Sequence, residues 1–140
     1  MSSPRIADIP TNSVAAFKIL FSVENALREF IIATMTGHAG GKWYKSRLPG
    51  DIYKKYKEAQ LYEKSVYWYA LVPHHPIYYL DFSDLRKVIE QNNNWNEIFK
   101  NIFQQKYVTA ETLFSIEPIR NKVAHNRIIS DTDLKQLEGA

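Results

Sequence analysis

Cysteine is absent from this 140-residue chain. That excludes disulfides, thiolate metal ligands and a cysteine nucleophile, and it fits a reducing cytoplasm. No phosphate-binding glycine loop and no serine-nucleophile motif occurs either. No long apolar run is free of charge: residues 14–35, the most apolar stretch, carry Lys18, Glu24, Arg28 and Glu29. Ionisable groups at those positions would be costly in lipid, so the stretch reads as a core helix and no membrane contact is expected. The start, Met1-Ser2-Ser3-Pro4-Arg5, has no apolar signal core directly behind its charge, and a soluble, cytoplasmic protein is expected. Histidine is scarce, with four in all. His74 and His75 suggest a metal pair, but zinc needs three or four ligands and no third histidine lies at ligand spacing. They read as a proline-flanked loop, and His38 has no evident partner. No metal or cofactor is expected.

Aromatic residues are abundant at 14%, within a hydrophobic share of 45%. Rings of that number bury enough area for one core at this length. The net charge of +3 is concentrated in the first half of the chain, which permits an anionic partner without demanding one.

Periodicity points to an all-α bundle of about four main helices plus shorter pieces. A helix is predicted over 13–35, with Val14, Phe17, Leu20, Phe21, Leu27, Phe30 and Ile31 as its apolar positions. Thr11-Asn12-Ser13 signals its start, and Gly37 with the Gly40-Gly41 pair its end. After a loop, Asp51 is expected to cap a helix running to about Tyr69, broken by Pro73-His74-His75-Pro76. Ile77-Tyr78-Tyr79-Leu80 reads as an extended connection. A helix then opens at Asp81-Phe82-Ser83-Asp84, runs to about Gln91, buries Leu85, Val88 and Ile89, and is stopped by Asn92-Asn93-Asn94. Trp95, Ile98, Phe99, Ile102 and Phe103 are expected to form another amphipathic helix. Thr109 is expected to cap a helix carrying Leu113, Phe114 and Ile116 toward Ile119 and Val123. Ser130-Asp131-Thr132-Asp133 resembles a capping box for a short last helix. Residues 1–12 are expected to be an extension and 13–140 a single domain.

The segment Arg120-Asn121-Lys122-Val123-Ala124-His125 carries the chemistry. On a helix, Asn121 and His125 share a face, and Arg120, about 100° round, can swing its guanidinium toward it. Glu117, one turn earlier, could pair with Arg120 or Asn121. Arginine grips phosphate oxygens through a planar fork and stays charged. Histidine as a residue type can take or give a proton near neutrality. RNA supplies its own nucleophile, the 2′-hydroxyl, so such a pair suits its cleavage without a metal. The same residues also suit an ordinary polar helix face.

The strip resembles the signature of the HEPN superfamily, an all-helical group. Its nuclease members carry an arginine, a polar neighbour, and a histidine after four to six intervening residues. Arg120, Asn121 and His125 fit that pattern. The resemblance extends to Tyr79-Leu80-Asp81-Phe82-Ser83-Asp84-Leu85, to Asn94-Trp95 and Phe99, and to Glu24-Asn25-Ala26-Leu27-Arg28. It implies a HEPN-like fold and a metal-independent endoribonuclease, a homodimer with two motif helices facing each other across a cleft. His125 would handle protons during 2′-hydroxyl attack, Arg120 would stabilise phosphate charge, and Asn121 would orient His125 or touch phosphate. Products would end in 2′,3′-cyclic phosphate and 5′-hydroxyl. The settings implied are toxin, antiphage or RNA-surveillance systems, with a neutralising protein or further domains of a longer chain as partners. Two departures stand out. Pro118 should kink the helix or mark a new start. Arg127 occupies the place where one toxin subgroup has a tyrosine that a partner enzyme modifies, so that neutralisation is not expected. The other reading of the resemblance is a catalytically silent domain for dimerisation, or for binding a partner or RNA.

Lys42, Lys45, Arg47, Lys54, Lys55 and Lys57 lie close together, interleaved with Trp43, Tyr44, Tyr53 and Tyr56. Such a mix can hold an RNA backbone while rings stack on bases. It also fits a solvated helix face whose rings turn to the core. Lys122 and Arg127, in and just behind the strip, complete the cations expected to contact RNA.

Overall fold

Two apolar stripes run along the first helix, α1 (Thr11–Ala39), and only one of them is covered. At about 100° per residue, Ala16, Leu20, Leu27, Ile31 and Met35 fall within one arc, and all five are buried. Val14, Phe17 and Phe21 lie on an adjoining arc and stay 41%, 57% and 62% exposed, against the expectation that they are core. The periodicity could not separate the stripes, because both satisfy three-and-four spacing. Gly37 lies inside the helix. The exit comes at Gly40, whose φ of 83° lets the chain turn out of the helix while its N–H still reaches the Thr36 carbonyl.

The structure, a computed structural model, describes residues 10–65, 75–103, 111 and 114–139. Expectations for Tyr67 to Tyr69, Pro73, His74, Thr109, Leu113 and the first nine residues lie outside the described residues. All regular structure among the described residues is helical, and no described helix is long and apolar enough to cross a membrane. The chain divides into two compact units, residues Met1–Asn25 with Val108–Ala140, and Ala26–Tyr107.

In the unit of Ala26–Tyr107, α2 (Tyr44–Arg47) and α3 (Gly50–Ser65) follow α1. Asp51 sits in the first turn of α3 rather than capping it, because the Pro49 carbonyl already accepts from Tyr53 and starts the helix one residue earlier. The expected extended connection is a 3₁₀ turn, Pro76–Tyr79. His75 caps it by accepting from the Ile77 N–H at 3.2 Å, and Pro76 needs no donor partner at its start. Helix α4 (Phe82–Glu90) opens on a reciprocal capping box between Asp81 and Asp84 and buries Leu85, Val88 and Ile89 as expected.

Helix α4 ends at Gln91, as expected, but Asn92-Asn93-Asn94 are themselves helical. After a bend at Gln91, α5 (Asn92–Asn94) runs into a wide turn over Trp95–Phe99, where Lys100 donates to the Trp95 carbonyl, and then α6 (Lys100–Phe103). Rings of Phe30, Phe99 and Phe103 meet at centroid distances of 6.1–6.3 Å, and Trp95 stacks on Phe103. Asn94 is fully buried because its amide donates to the carbonyls of Arg47 and Val88, both at 2.8 Å. Asn94→Ala would strip a donor from both carbonyls. It is expected to lower stability by about 2–4 kcal/mol, read from urea unfolding.

His75 stacks on Trp43 at 5.4 Å and meets Tyr44 edge-on. Burial pulls its imidazole below the ordinary value, while Glu29 pulls the other way. The unfolded chain therefore binds a proton before the folded one does. Stability should fall as pH drops below about 6.5, then level off once the folded imidazole is itself charged. The melting temperature of the wild type should drop toward that of His75→Asn between pH 7.5 and 5. Parallel pH profiles would remove His75 from the account.

In the other unit, on or beside α7 (Glu117–Ala124) and α8 (Asp131–Glu138), Ile116, Ile119, Ile129 and Leu137 are buried, as are Ala16 and Leu20 of α1. The predicted capping box of α8 is present: Ser130 accepts from the Asp133 N–H and Asp133 returns a bond to Ser130. Asn12 donates to the Ile129 carbonyl and to Asp131, tying the start of α1 to the segment ahead of α8.

Candidate active site

Pro118 marks a new helical start, as its missing N–H and fixed φ predict. The chain turns at Ser115 and Ile116, and α7 begins at Glu117 with the proline in its first turn. Ile116 and Ile119 are buried and hold one side of the helix, which fixes the opposite side outward. Asn121 and His125 are both exposed there, one turn apart.

His125 caps the helix and begins the turn behind it rather than lying in the helix body. Its N–H still bonds to the Asn121 carbonyl at 3.0 Å, but its own backbone has left helical geometry. Asn126 then takes a left-handed φ of 57°. The Asn126 N–H reaches the Val123 carbonyl at 3.1 Å, and the Arg127 N–H reaches Lys122 at 2.8 Å. This paired closure satisfies the last carbonyls, and asparagine is the non-glycine residue that best tolerates the turn. The imidazole thus stands at a backbone position held by hydrogen bonds on both sides.

Arg120 is held from α1. Its Nε donates to Glu24 Oε1 at 2.8 Å, with the side chains 23% and 15% exposed. Lys122 turns the other way and pairs with Asp133 Oδ2 at 2.8 Å. That contact and the Ser130 N–H hold the Asp133 carboxyl below the usual carboxylate range. Arg127 is exposed. The strip therefore presents Asn121, His125 and Arg127 to solvent, and a half-buried Arg120 steadied by a carboxylate.

The family comparison matches Swt1-like HEPN over residues 18–138. The chain belongs to the Swt1-like HEPN family. The matched span contains Glu24 and all of the 120–125 strip. No curated protein and no solved structure matches the chain.

The remaining candidates of this HEPN chain belong to the unit of Ala26–Tyr107. Lys42 and Lys45 are exposed. Arg47 is bound to Glu97. Lys54 lies 4.0 Å from Glu58. Lys55 clamps α3 to the capping box of α4, at 2.5 Å from Asp84 and 3.3 Å from Asp81. Those carboxylates hold its ammonium above the ordinary lysine value. Lys57 lies over the rings of Tyr53 and Tyr56. Trp43 and Tyr56 are buried, so these two rings serve the core and offer no face to a base. Among the described residues no three His, Cys, Asp or Glu side chains gather where they could hold a metal ion.

Sequence reasoning had not picked out Glu24 as the partner of Arg120, nor Asp133 as that of Lys122. Neither pair leaves a local signal, since Glu24 and Arg120 are 96 positions apart. Asn126 did leave one: an asparagine directly behind the last helical turn marks a left-handed exit.

Proposed function

We propose that this HEPN domain, taken as residues 13–140, is a metal-independent endoribonuclease. Attack of the 2′-hydroxyl on the adjacent phosphate expels the 5′-oxygen and leaves 2′,3′-cyclic phosphate and 5′-hydroxyl ends. His125 moves the protons, Arg120 stabilises charge on the phosphate, and Asn121 orients His125 or contacts phosphate. The observation that carries this reading is the exposure of Asn121 and His125 on one face, beside an arginine whose Nε edge is steadied by Glu24. Arginine has five N–H donors, so the bond to Glu24 leaves its terminal amino groups for phosphate.

Ribonuclease activity is frequent among HEPN domains, and RNA binding and dimerisation are typical of them. Both support the reading, as does Arg127, an exposed cation beside His125. Lys42 and Lys45, also exposed and without an ion pair among the described residues, are proposed as further contacts to RNA. A homodimer, acting in a toxin, antiphage or RNA-surveillance setting, is part of the same proposal. The test is incubation of the purified chain with structured and single-stranded RNA in excess chelator. Cyclic-phosphate products are expected. Intact RNA from a folded protein across several substrates would instead favour a silent domain for dimerisation or partner binding.

A further inference from the structure

An open cavity of about 420 Å³ lies between the start of α1 and the turn that closes α7. Pro10, Ser13, Val14 and Phe17 form one wall; Val123, Asn126 and Arg127 form the other. We propose that it is a nucleobase pocket, which seats one unpaired base of an RNA strand on Phe17 and its phosphate on Arg127. The proposal rests on the ribonuclease reading for its purpose, and it names the part of the substrate that this site would hold.

The volume lies at the lower end of the range for ligand pockets, roughly 300–1,000 Å³, which suits a nucleoside-sized guest. Its apolar wall is unusual for an exposed helix face. Phe17 remains 57% exposed, with the Phe21 ring 6.1 Å away, also largely exposed. An aromatic face left open beside a cation is what an unstacked base requires. Ser13 and Asn126 add a hydroxyl and an amide at the rim, able to read a base edge. Asn126 is poised by its left-handed backbone and two closing hydrogen bonds, so its position is set before any ligand arrives.

Charge favours a nucleotide over an apolar peptide. Lys122 is committed to Asp133, whereas Arg127 has no carboxylate partner among the described residues. Location also matters. Asn126 and Arg127 line the cavity and directly follow His125 in the chain, so a base held there would sit against the turn that carries the imidazole. Holding the base would fix the ribose for attack by its 2′-hydroxyl.

The test uses a short, fully 2′-O-methylated RNA strand carrying one 2-aminopurine, which cannot be cleaved by 2′-hydroxyl attack. Binding to the wild-type chain should quench its fluorescence. Phe17→Ala should abolish the quenching and weaken binding roughly tenfold or more, while Phe17→Trp restores both. Arg127→Ala should weaken binding and reduce the slope of log affinity against log salt by about 1. Because Phe17 is exposed, Phe17→Ala should keep the wild-type circular dichroism. Absent quenching, or quenching unchanged in Phe17→Ala, overturns the pocket. A loss of dimer mass in Phe17→Ala with quenching intact assigns the face to a second copy of the chain and also overturns it. If mass and quenching are lost together, Arg127→Ala decides: weaker binding at unchanged mass supports the pocket, and unchanged binding overturns it. Phe17-dependent quenching by a chain that leaves ordinary RNA intact would keep the pocket and remove the cleavage reading.

Discussion

His125→Ala is expected to slow RNA cleavage about a thousandfold, within the 10²–10⁴ range for loss of a general acid–base group. Stability should change by no more than about 0.5 kcal/mol, the usual scale for an exposed substitution. The reason for the split lies in the local geometry. The bond from His125 to Asn121 uses the backbone N–H, which alanine keeps. Termination of α7 depends on the left-handed Asn126 and the N–H of Arg127, not on the imidazole. Single-turnover rates in chelator and thermal melts, taken on the same preparations, check both halves. Undiminished cleavage by a folded His125→Ala chain would assign the activity to another site or to a contaminant.

Arg120→Ala should differ by failing on both counts. Cleavage should fall by about 10²–10³, the scale for losing a donor that stabilises charge in the transition state. Stability should fall too, because Glu24 is only 15% exposed and loses the cation at 2.8 Å. An exposed pair contributes about 0–1 kcal/mol, and breaking a buried one costs about 3–5. This half-buried pair belongs between them, at about 1–3 kcal/mol. Glu24→Gln separates the two roles. It keeps the shape of the side chain but removes the charge that steadies Arg120, so activity should fall by less than in Arg120→Ala. A double-mutant cycle on the two positions should show coupling in both stability and rate. Additive effects would mean that Glu24 does not position the arginine.

The parts of the fold that were legible in the sequence are those decided within a few residues. The Asp81/Asp84 and Ser130/Asp133 capping boxes are examples, since each closes side chain to backbone across one turn. The new helical start at Pro118 is another, dictated by one missing N–H. Ile77 and its neighbours misled because Tyr and Ile favour strands, whereas the His75 cap and Pro76 settle a 3₁₀ turn. Asn92 to Asn94 read as a stop because asparagine favours turns. Helix α4 does end there, at Gln91, but burial of Asn94 on the Arg47 and Val88 carbonyls keeps the triplet itself helical.

The 120–125 strip divides in the same way. Its residue types and spacing, and so its family, could be read from the chain alone. That Asn121 and His125 face water follows from Ile116 and Ile119 being buried on the other side. The tertiary structure alone decided that Arg120 is steadied by Glu24, that Lys55 and Arg47 are spent on carboxylates, and that Phe17 stays open beside Arg127. Helical periodicity records which residues share a face, but not what arrives to cover it. Ion pairs between distant positions leave no pattern in either partner's neighbourhood. Local backbone chemistry was therefore written in the sequence, and the division of charged and aromatic side chains between core and site was not.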